Sequence, residues 1–288
     1  MKSTIGVSTW SLQQLSFTKG ATVEDIVSMC ADMGAEGIDI CEEYIPCHPQ
    51  PDLVKIRELR RSIEQKHLRI GASWFCTEIM RAIEASSEAH VLEVYKKNII
   101  IAAEMGAEYI CIPMLVDRKR SRAECKAQFI HYFEQLIPFA EKYNMPIAHE
   151  CARQGAPGLS LELAKHFNSR FYGVCPDLEA WRVNTPDLPL TAHAEDPLAG
   201  IQQPESIELF RECLPYSPYI HFKLLALDEK GEEPHFPIHE MMRAINDSPI
   251  DHYLCIEYEG WIPDLNPTLD SCRETERCVE LVKRYRIH

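Results

Sequence analysis

Short runs rich in β-branched and aromatic residues alternate with longer stretches of helical period from one end of this chain to the other, and that alternation restricts its fold more than any other feature. Candidate strands begin near Thr4, Glu36, Leu68, Glu108, Met145, Phe171, Ser217 and His252. Successive starts lie 26 to 46 residues apart, enough for one strand, one helix and two loops in a right-handed crossover. Amphipathic stretches fall at 23–33, 53–65, 91–104, 123–143, 161–167, 204–213, 238–245 and 272–285. Eight near-continuously apolar strands, each followed by a helix, imply a parallel sheet covered by helices, and eight is the number that closes a (β/α)8 TIM barrel. An open doubly wound sheet would normally carry a glycine-rich phosphate turn after its first strand. Here that turn reads Ser8, Thr9, Trp10, Ser11, with no Gly-x-Gly.

Local signals support several of these helices. Thr22 with Glu24 and Asp25, Ser121 with Glu124, and Ser160 with Glu162 read as helix starts, and Gly34 and Gly106 as helix ends. No boundary interrupts the pattern, so 1–288 is expected to form a single domain. The longest irregular stretch, 178–203, contains Pro186, Pro189 and Pro197 and is expected to be a substrate lid or a contact between subunits.

Composition narrows the classes of function. At 45% hydrophobic and 26% charged, the chain has material for a large core and no signature of disorder. A formal net charge of −14 argues against binding nucleic acid, which runs on cationic patches. No apolar run approaches the roughly 18 residues that span a bilayer, and the start has no secretory cleavage signal, so a cytoplasmic protein is expected. The twelve cysteines are scattered, without a Cys-x-x-Cys pair, and read as small buried hydrophobes in a reducing compartment.

In a barrel of this kind reactive groups belong at the C-terminal ends of the strands. Four such ends stand together: His149 and Glu150 on the fifth strand, Asp177 on the sixth, His221 and Lys223 on the seventh, Glu257 and Glu259 on the eighth. Three carboxylates converging with an imidazole near the axis would be costly, because buried like charges repel and desolvate together, and a divalent cation removes that cost. Oxygen donors with one imidazole suit Mn2+, Mg2+ or Co2+ better than a thiolate-seeking metal, and Zn2+ also fits.

The series Glu150, Asp177, His221, Glu257, with the opening Ser8-Thr9-Trp10 and the junction from Met33 through Gly34, Ala35, Glu36 and Gly37 to Ile38, resembles the sugar phosphate isomerase/epimerase superfamily of xylose isomerase-like barrels over essentially the whole chain. The resemblance implies that Glu150, Asp177, His221 and Glu257 hold one divalent metal, most typically Mn2+, with Glu150 and Glu257 also moving protons. The metal would polarise a carbonyl and stabilise an enediolate. A small sugar or cyclitol is then the expected substrate, with isomerisation or epimerisation as the reaction. Dimers or tetramers are the family's habit. The same barrel also supports lyases, either inosose-type dehydratases or C-glycoside deglycosylase subunits, the latter with a smaller partner subunit; a non-catalytic sugar-binding barrel is a further alternative.

Two positions depart from the sugar epimerases. Ala180 stands where many carry a substrate-binding His, and Leu227 where an Arg is common. Ala180 also argues against the endonuclease branch, whose zinc cluster uses that His. Lys223, two residues after His221, is expected to face the same way. There it would touch a substrate oxygen, as the resemblance to the inosose and dehydratase branches suggests, or pair with Glu257 or Glu259. His149 is expected to face away from the pocket. Trp10, Trp74 and Trp181 lie at or just past strand ends and are candidates for the apolar wall against which a sugar ring stacks. His235 and His239 have helical metal-pair spacing, but Pro237 places a helix start between them; Glu42 and Glu43, after the second strand, are candidates to hydrogen-bond a substrate hydroxyl, with solvated loop acids as the more ordinary reading.

Overall fold

The computed structural model describes residues 3–84, 87–115, 120–152, 155–183, 204–260 and 269–287. Its strands are β1 (Thr4–Ser8), β2 (Gly37–Cys41), β3 (Arg69–Trp74), β4 (Tyr109–Pro113), β5 (Ile147–Cys151), β6 (Tyr172–Pro176), β7 (Tyr219–Leu224) and β8 (Tyr253–Tyr258). Each starts within two residues of the position expected from sequence. All ladders are parallel, and β8 lies between β1 and β7. The barrel closes between β6 and β7 through an isolated parallel bridge that pairs Asp177 with His221.

The helices are α1 (Gln13–Lys19), α2 (Val23–Asp32), α3 (Leu53–Gln65), α4 (Thr77–Glu84), α5 (Glu88–Met105), α6 (Arg122–Lys142), α7 (Ala156–Phe167), α8 (Ile207–Cys213), α9 (Ile238–Asn246) and α10 (Ser271–Tyr285). Thr22 with Asp25 and Ser121 with Glu124 form reciprocal capping boxes, and Gly34 and Gly106 take left-handed φ values of 74° and 73° just past their helices. Three expectations are corrected. Ser160 does not start a helix: α7 begins at Ala156 after Gly155, with Pro157 in its first turn, and Ser160 is buried within it. Helices α1 and α4, of 7 and 8 residues, are too short to show a periodic pattern in a window of about 11 to 18 residues. The stretch expected to be wholly irregular opens with a short 3-10 helix, Leu178–Trp181; its remainder from 184 to 203 lies outside the described residues.

Alternation along the strands sorts side chains into two sets. Outward-facing residues such as Val174, Ile220, Phe222, Leu254 and Ile256 pack in one apolar core with the helices. Inside the barrel a second cluster holds Ala72, Cys111, Ala148, Cys175, Tyr219, Tyr253 and Cys255, with Trp74 and Tyr109 against it. Gly6, Gly37 and Gly71 leave room for the Tyr253 ring, which a methyl group at any of the three would overlap. All twelve cysteines are free thiols and nine are buried.

Candidate metal centre and substrate pocket

Stepping two residues along each strand from this inner cluster leads to the candidate site. Ala148 precedes Glu150, Cys175 precedes Asp177, Tyr219 precedes His221 and Lys223, and Cys255 precedes Glu257 and Glu259. Register brings the positions level: Lys223 pairs with Glu257 across β7 and β8, Glu150 with Cys175 across β5 and β6, and Asp177 with His221 at the seam. One ligand atom from each of Glu150, Asp177, His221 and Glu257 lies within 4.8 Å of the others, and all four residues are buried.

His221 Nδ1 lies 2.8 Å from Glu150 Oε1, and the Trp74 indole N–H donates to Glu150 Oε2 at 2.8 Å. Lys223 Nζ stands 3.2 Å from Asp177, 3.4 Å from Glu257 and 3.3 Å from Glu259, so the pairing expected for this lysine is present and includes a third carboxylate. The Trp10 indole donates to Glu259 at 3.1 Å.

The electrostatics are uneven. Burial opposes the charged form of Glu150, yet the charges of His221 and Lys223 and the hydrogen bonds from His221 and Trp74 pull its carboxyl down to about 2. Burial pushes Asp177 well above the usual carboxylate range, and Glu150 and Glu257 add to the push while Lys223 resists it. Glu257 is raised for the same reason, with Glu259 and Glu150 contributing. One lysine therefore does not neutralise the cluster. Asp177 Oδ2 accepts no hydrogen bond and meets only part of the Lys223 charge, at 3.2 Å. This compact set of three carboxylates and one imidazole fits a divalent cation of oxygen-seeking character.

Two neighbouring groups share His221: Cys111 with Cys175, and Asp39 with Cys255. Burial raises the thiols of Cys111 and Cys255 well above their ordinary range, which disfavours a thiolate at either position. The oxygen-rich set above them is the better metal site.

Above the cluster lies a cavity of about 270 Å³. Glu43, Thr77, Glu150, Lys223, Glu257 and Glu259 give it a polar floor and side, while Trp10, Trp74, Met80, Pro113, Met114 and Leu115 form an apolar wall. The Trp10 and Trp74 ring centroids are 6.2 Å apart. Trp181 is not in this wall. It is fully buried, packs edge-on against Phe210 and donates to the Ser206 carbonyl, because the short helix after β6 turns it outward. Glu42 is also not a solvated acid: it is buried and accepts the Thr77 backbone N–H at 2.5 Å, anchoring the start of α4. Glu43 borders the pocket, and burial raises its carboxyl.

His149 faces outward as expected, among Phe129, Phe133 and Tyr172, with Nδ1 2.6 Å from the Tyr172 hydroxyl; burial lowers its pKa to about 3. His235 bonds Glu233 and His239 packs on Tyr285, so the two do not form a pair. Met80 and Thr77 were not singled out from sequence because the short helix that carries them was not recognised. Tyr219 and Glu259 each lie two residues from an assigned site residue, and strand period alone points to both.

A closed parallel barrel with a metal-fitting acid cluster at the C-terminal ends of its strands defines a class of α/β-barrel enzymes. Within that class, the chain belongs to the xylose isomerase-like TIM barrel family, whose model matches residues 27–275. Its structural neighbours include sugar epimerases. A D-psicose 3-epimerase from Clostridium cellulolyticum H10, solved with D-tagatose, superposes with a TM-score of 0.73 over 99% of both chains at 11% identity. The IolI protein with a bound zinc atom gives 0.70 over 99% of both chains at 14% identity. Among curated proteins, the C-glycoside deglycosidase alpha subunit of Microbacterium trichothecenolyticum is 28% identical over 108 residues, 38% of this chain and 27% of that protein. The match therefore spans about a quarter of that relative's length. No described helix is long and apolar enough to cross a membrane.

Proposed function

We propose that this protein is a divalent-metal-dependent isomerase or epimerase of a small polyhydroxylated ketone or aldehyde, a sugar or cyclitol, working in the cytoplasm. The observation that carries the reading is the convergence of Glu150, Asp177, His221 and Glu257 within 4.8 Å beneath a cavity that Lys223 and two tryptophans border. These four residues would hold the metal, with Mn2+ preferred for the oxygen-rich set and Zn2+ as the ion in the IolI neighbour. When bound, the metal supplies an electrophile that polarises the substrate carbonyl.

The rest falls to the chain's own side chains. Glu150, kept ionised by its partners, is positioned to take a proton from the carbon beside the carbonyl, and Glu257 to return one, which moves the substrate through an enediolate. The Lys223 ammonium binds substrate oxygen, and Trp10 and Trp74 offer a face for the sugar ring while their N–H groups hold Glu259 and Glu150. Incubation of the Mn2+-loaded protein in D2O with a panel of ketoses and inososes tests this. Deuterium entering at the carbon next to the carbonyl is expected. Metal binding without exchange into any of them would favour a sugar-binding barrel.

A second reading has its own support. The curated relatives include deglycosidase alpha subunits, and the wall of Met80, Pro113, Met114 and Leu115 leaves apolar surface beside the acids for a substituent on the sugar. In that reading the protein is a lyase that releases the substituent from a ketone-bearing sugar, together with a smaller partner subunit. Elimination from an oxidised C-glycoside only after the partner is added would favour it; in its absence, a homo-oligomeric isomerase is the expected form.

A further inference from the structure

His221 is held by hydrogen-bond partners from both sides. Nδ1 faces the carboxylate cluster, 2.8 Å from Glu150. Nε2 faces down into the barrel, 2.8 Å from the Tyr219 hydroxyl. Tyr219 has one phenolic proton and donates it to Asp39 Oδ2 at the end of a short hydrogen bond. Its oxygen is therefore left to accept from His221 Nε2–H, while Nδ1, which donates to the ionised Glu150 here, is the nitrogen that faces the cluster and would give up its hydrogen to a metal.

We infer that Tyr219 and Asp39 are positioning residues that hold the His221 ring by its Nε2–H, in the orientation that presents Nδ1 to a metal. The inference rests on the metal reading given above. Three features show that the device is built into the barrel. Tyr219 cannot swing away, because its ring is stacked on Tyr253 at 5.7 Å and 18° and flanked by Tyr109 at 5.6 Å. Tyr253 in turn sits over Gly6, Gly37 and Gly71, where no side chain could be accommodated. Asp39, at a strand position deep within the barrel, is fully buried, and a carboxylate placed there without a role would be a pure cost. The Asp39, Tyr219, His221 chain thus runs from β2 across the barrel floor to β7, and gives the buried acid a purpose that the substrate pocket does not.

The test uses the full chain and two probes, Zn2+ affinity by chelator competition and the imidazole nitrogen spectrum of the Zn2+-loaded, 15N-histidine-labelled protein. Tyr219→Phe keeps the ring and its stacking and removes the hydroxyl. We expect it to fold as the wild type does by circular dichroism, to bind Zn2+ about 10- to 100-fold more weakly, and to lose the slowly exchanging Nε2–H signal of His221. Asp39→Asn, which still offers an oxygen to the phenol, should keep affinity closer to wild type, whereas Asp39→Ala should approach Tyr219→Phe. Wild-type affinity together with an unchanged Nε2–H signal in Tyr219→Phe would overturn the inference while leaving the metal centre standing. Failure of the wild type itself to bind Zn2+ or Mn2+ would overturn the metal reading, and this inference with it. If Tyr219→Phe does not fold, the contrast between Asp39→Asn and Asp39→Ala decides: equal, wild-type affinity in both rejects the positioning role.

Discussion

The inward and outward faces of strands β5 to β8 are buried to the same degree and have opposite chemistry. Outside, Val174, Ile220, Phe222, Leu254 and Ile256 meet helices, and the one polar intruder, His149, is kept neutral by burial with a pKa of about 3. Inside, Glu150, Asp177, Lys223 and Glu257 retain charge-bearing groups at the rim, and His221 is pushed well above the usual imidazole range: burial opposes its charged form, but the surrounding acids, Glu150 and Glu257 among them, outweigh it. Burial alone therefore does not decide whether an ionisable group is charged; the neighbours at 3 to 4 Å do. A stable protein needs the outer face, and the inner one is tolerable only if the charges are put to use.

That contrast can be broken in graded steps. Glu150→Gln, on the inner face, should lower proton exchange into substrate by on the order of 10²- to 10⁴-fold with helical content unchanged. Unchanged turnover in that variant would remove Glu150 from the chemistry. Trp181→Ala, in the outer core, should do the reverse: a stability loss of about 3–5 kcal/mol in a urea melt, with KM at permissive temperature equal to wild type. A change in KM would return Trp181 to the substrate wall.

Lys223→Met strips Asp177, Glu257 and Glu259 of their shared ammonium. Its destabilisation, about 3–5 kcal/mol for a broken buried ion pair and less as the acids protonate, should be larger in chelator-treated protein than in the Mn2+-loaded form. Equal losses in the two forms would show that lysine and metal do not share the same carboxylates.

The effect that vanishes at neutral pH is that of His149. His149 is depressed from 6.5 to about 3 in the folded chain, so the unfolded chain binds more protons below 6.5; stability from this group is complete above that pH and is lost as pH falls toward 3. His149→Phe should flatten the acid limb of stability by up to about 1.4 kcal/mol per pH unit, as followed by denaturant melts from neutral pH downward. A slope identical to wild type would mean that His149 is protonated in the folded core.

Much of this architecture was readable from the chain. The eight strand starts were legible because a parallel barrel strand, buried on both faces, stands out as a largely apolar run, and the three rim acids and the imidazole because they lie at the ends of such runs. Trp181 was not, since a 3-10 helix after β6 reverses the side on which a residue falls and local sequence does not reveal that turn. Ser160 misled because serine before an apolar run resembles a cap, whereas the proline three residues earlier marks the true first turn. The floor of the barrel escaped notice for a different reason. Asp39, Tyr219, Tyr253 and three glycines come from strands far apart in sequence, and only the closed barrel brings them together.

The claim on which the rest depends is that the inner acids hold a metal. Elemental analysis of purified wild type and His221→Ala tests it most directly. About one equivalent of a divalent metal, chiefly Mn, Co, Mg, Zn or Fe, is expected in the wild type, and its loss in the variant. No metal in either protein, even after incubation with Mn2+, would contradict it.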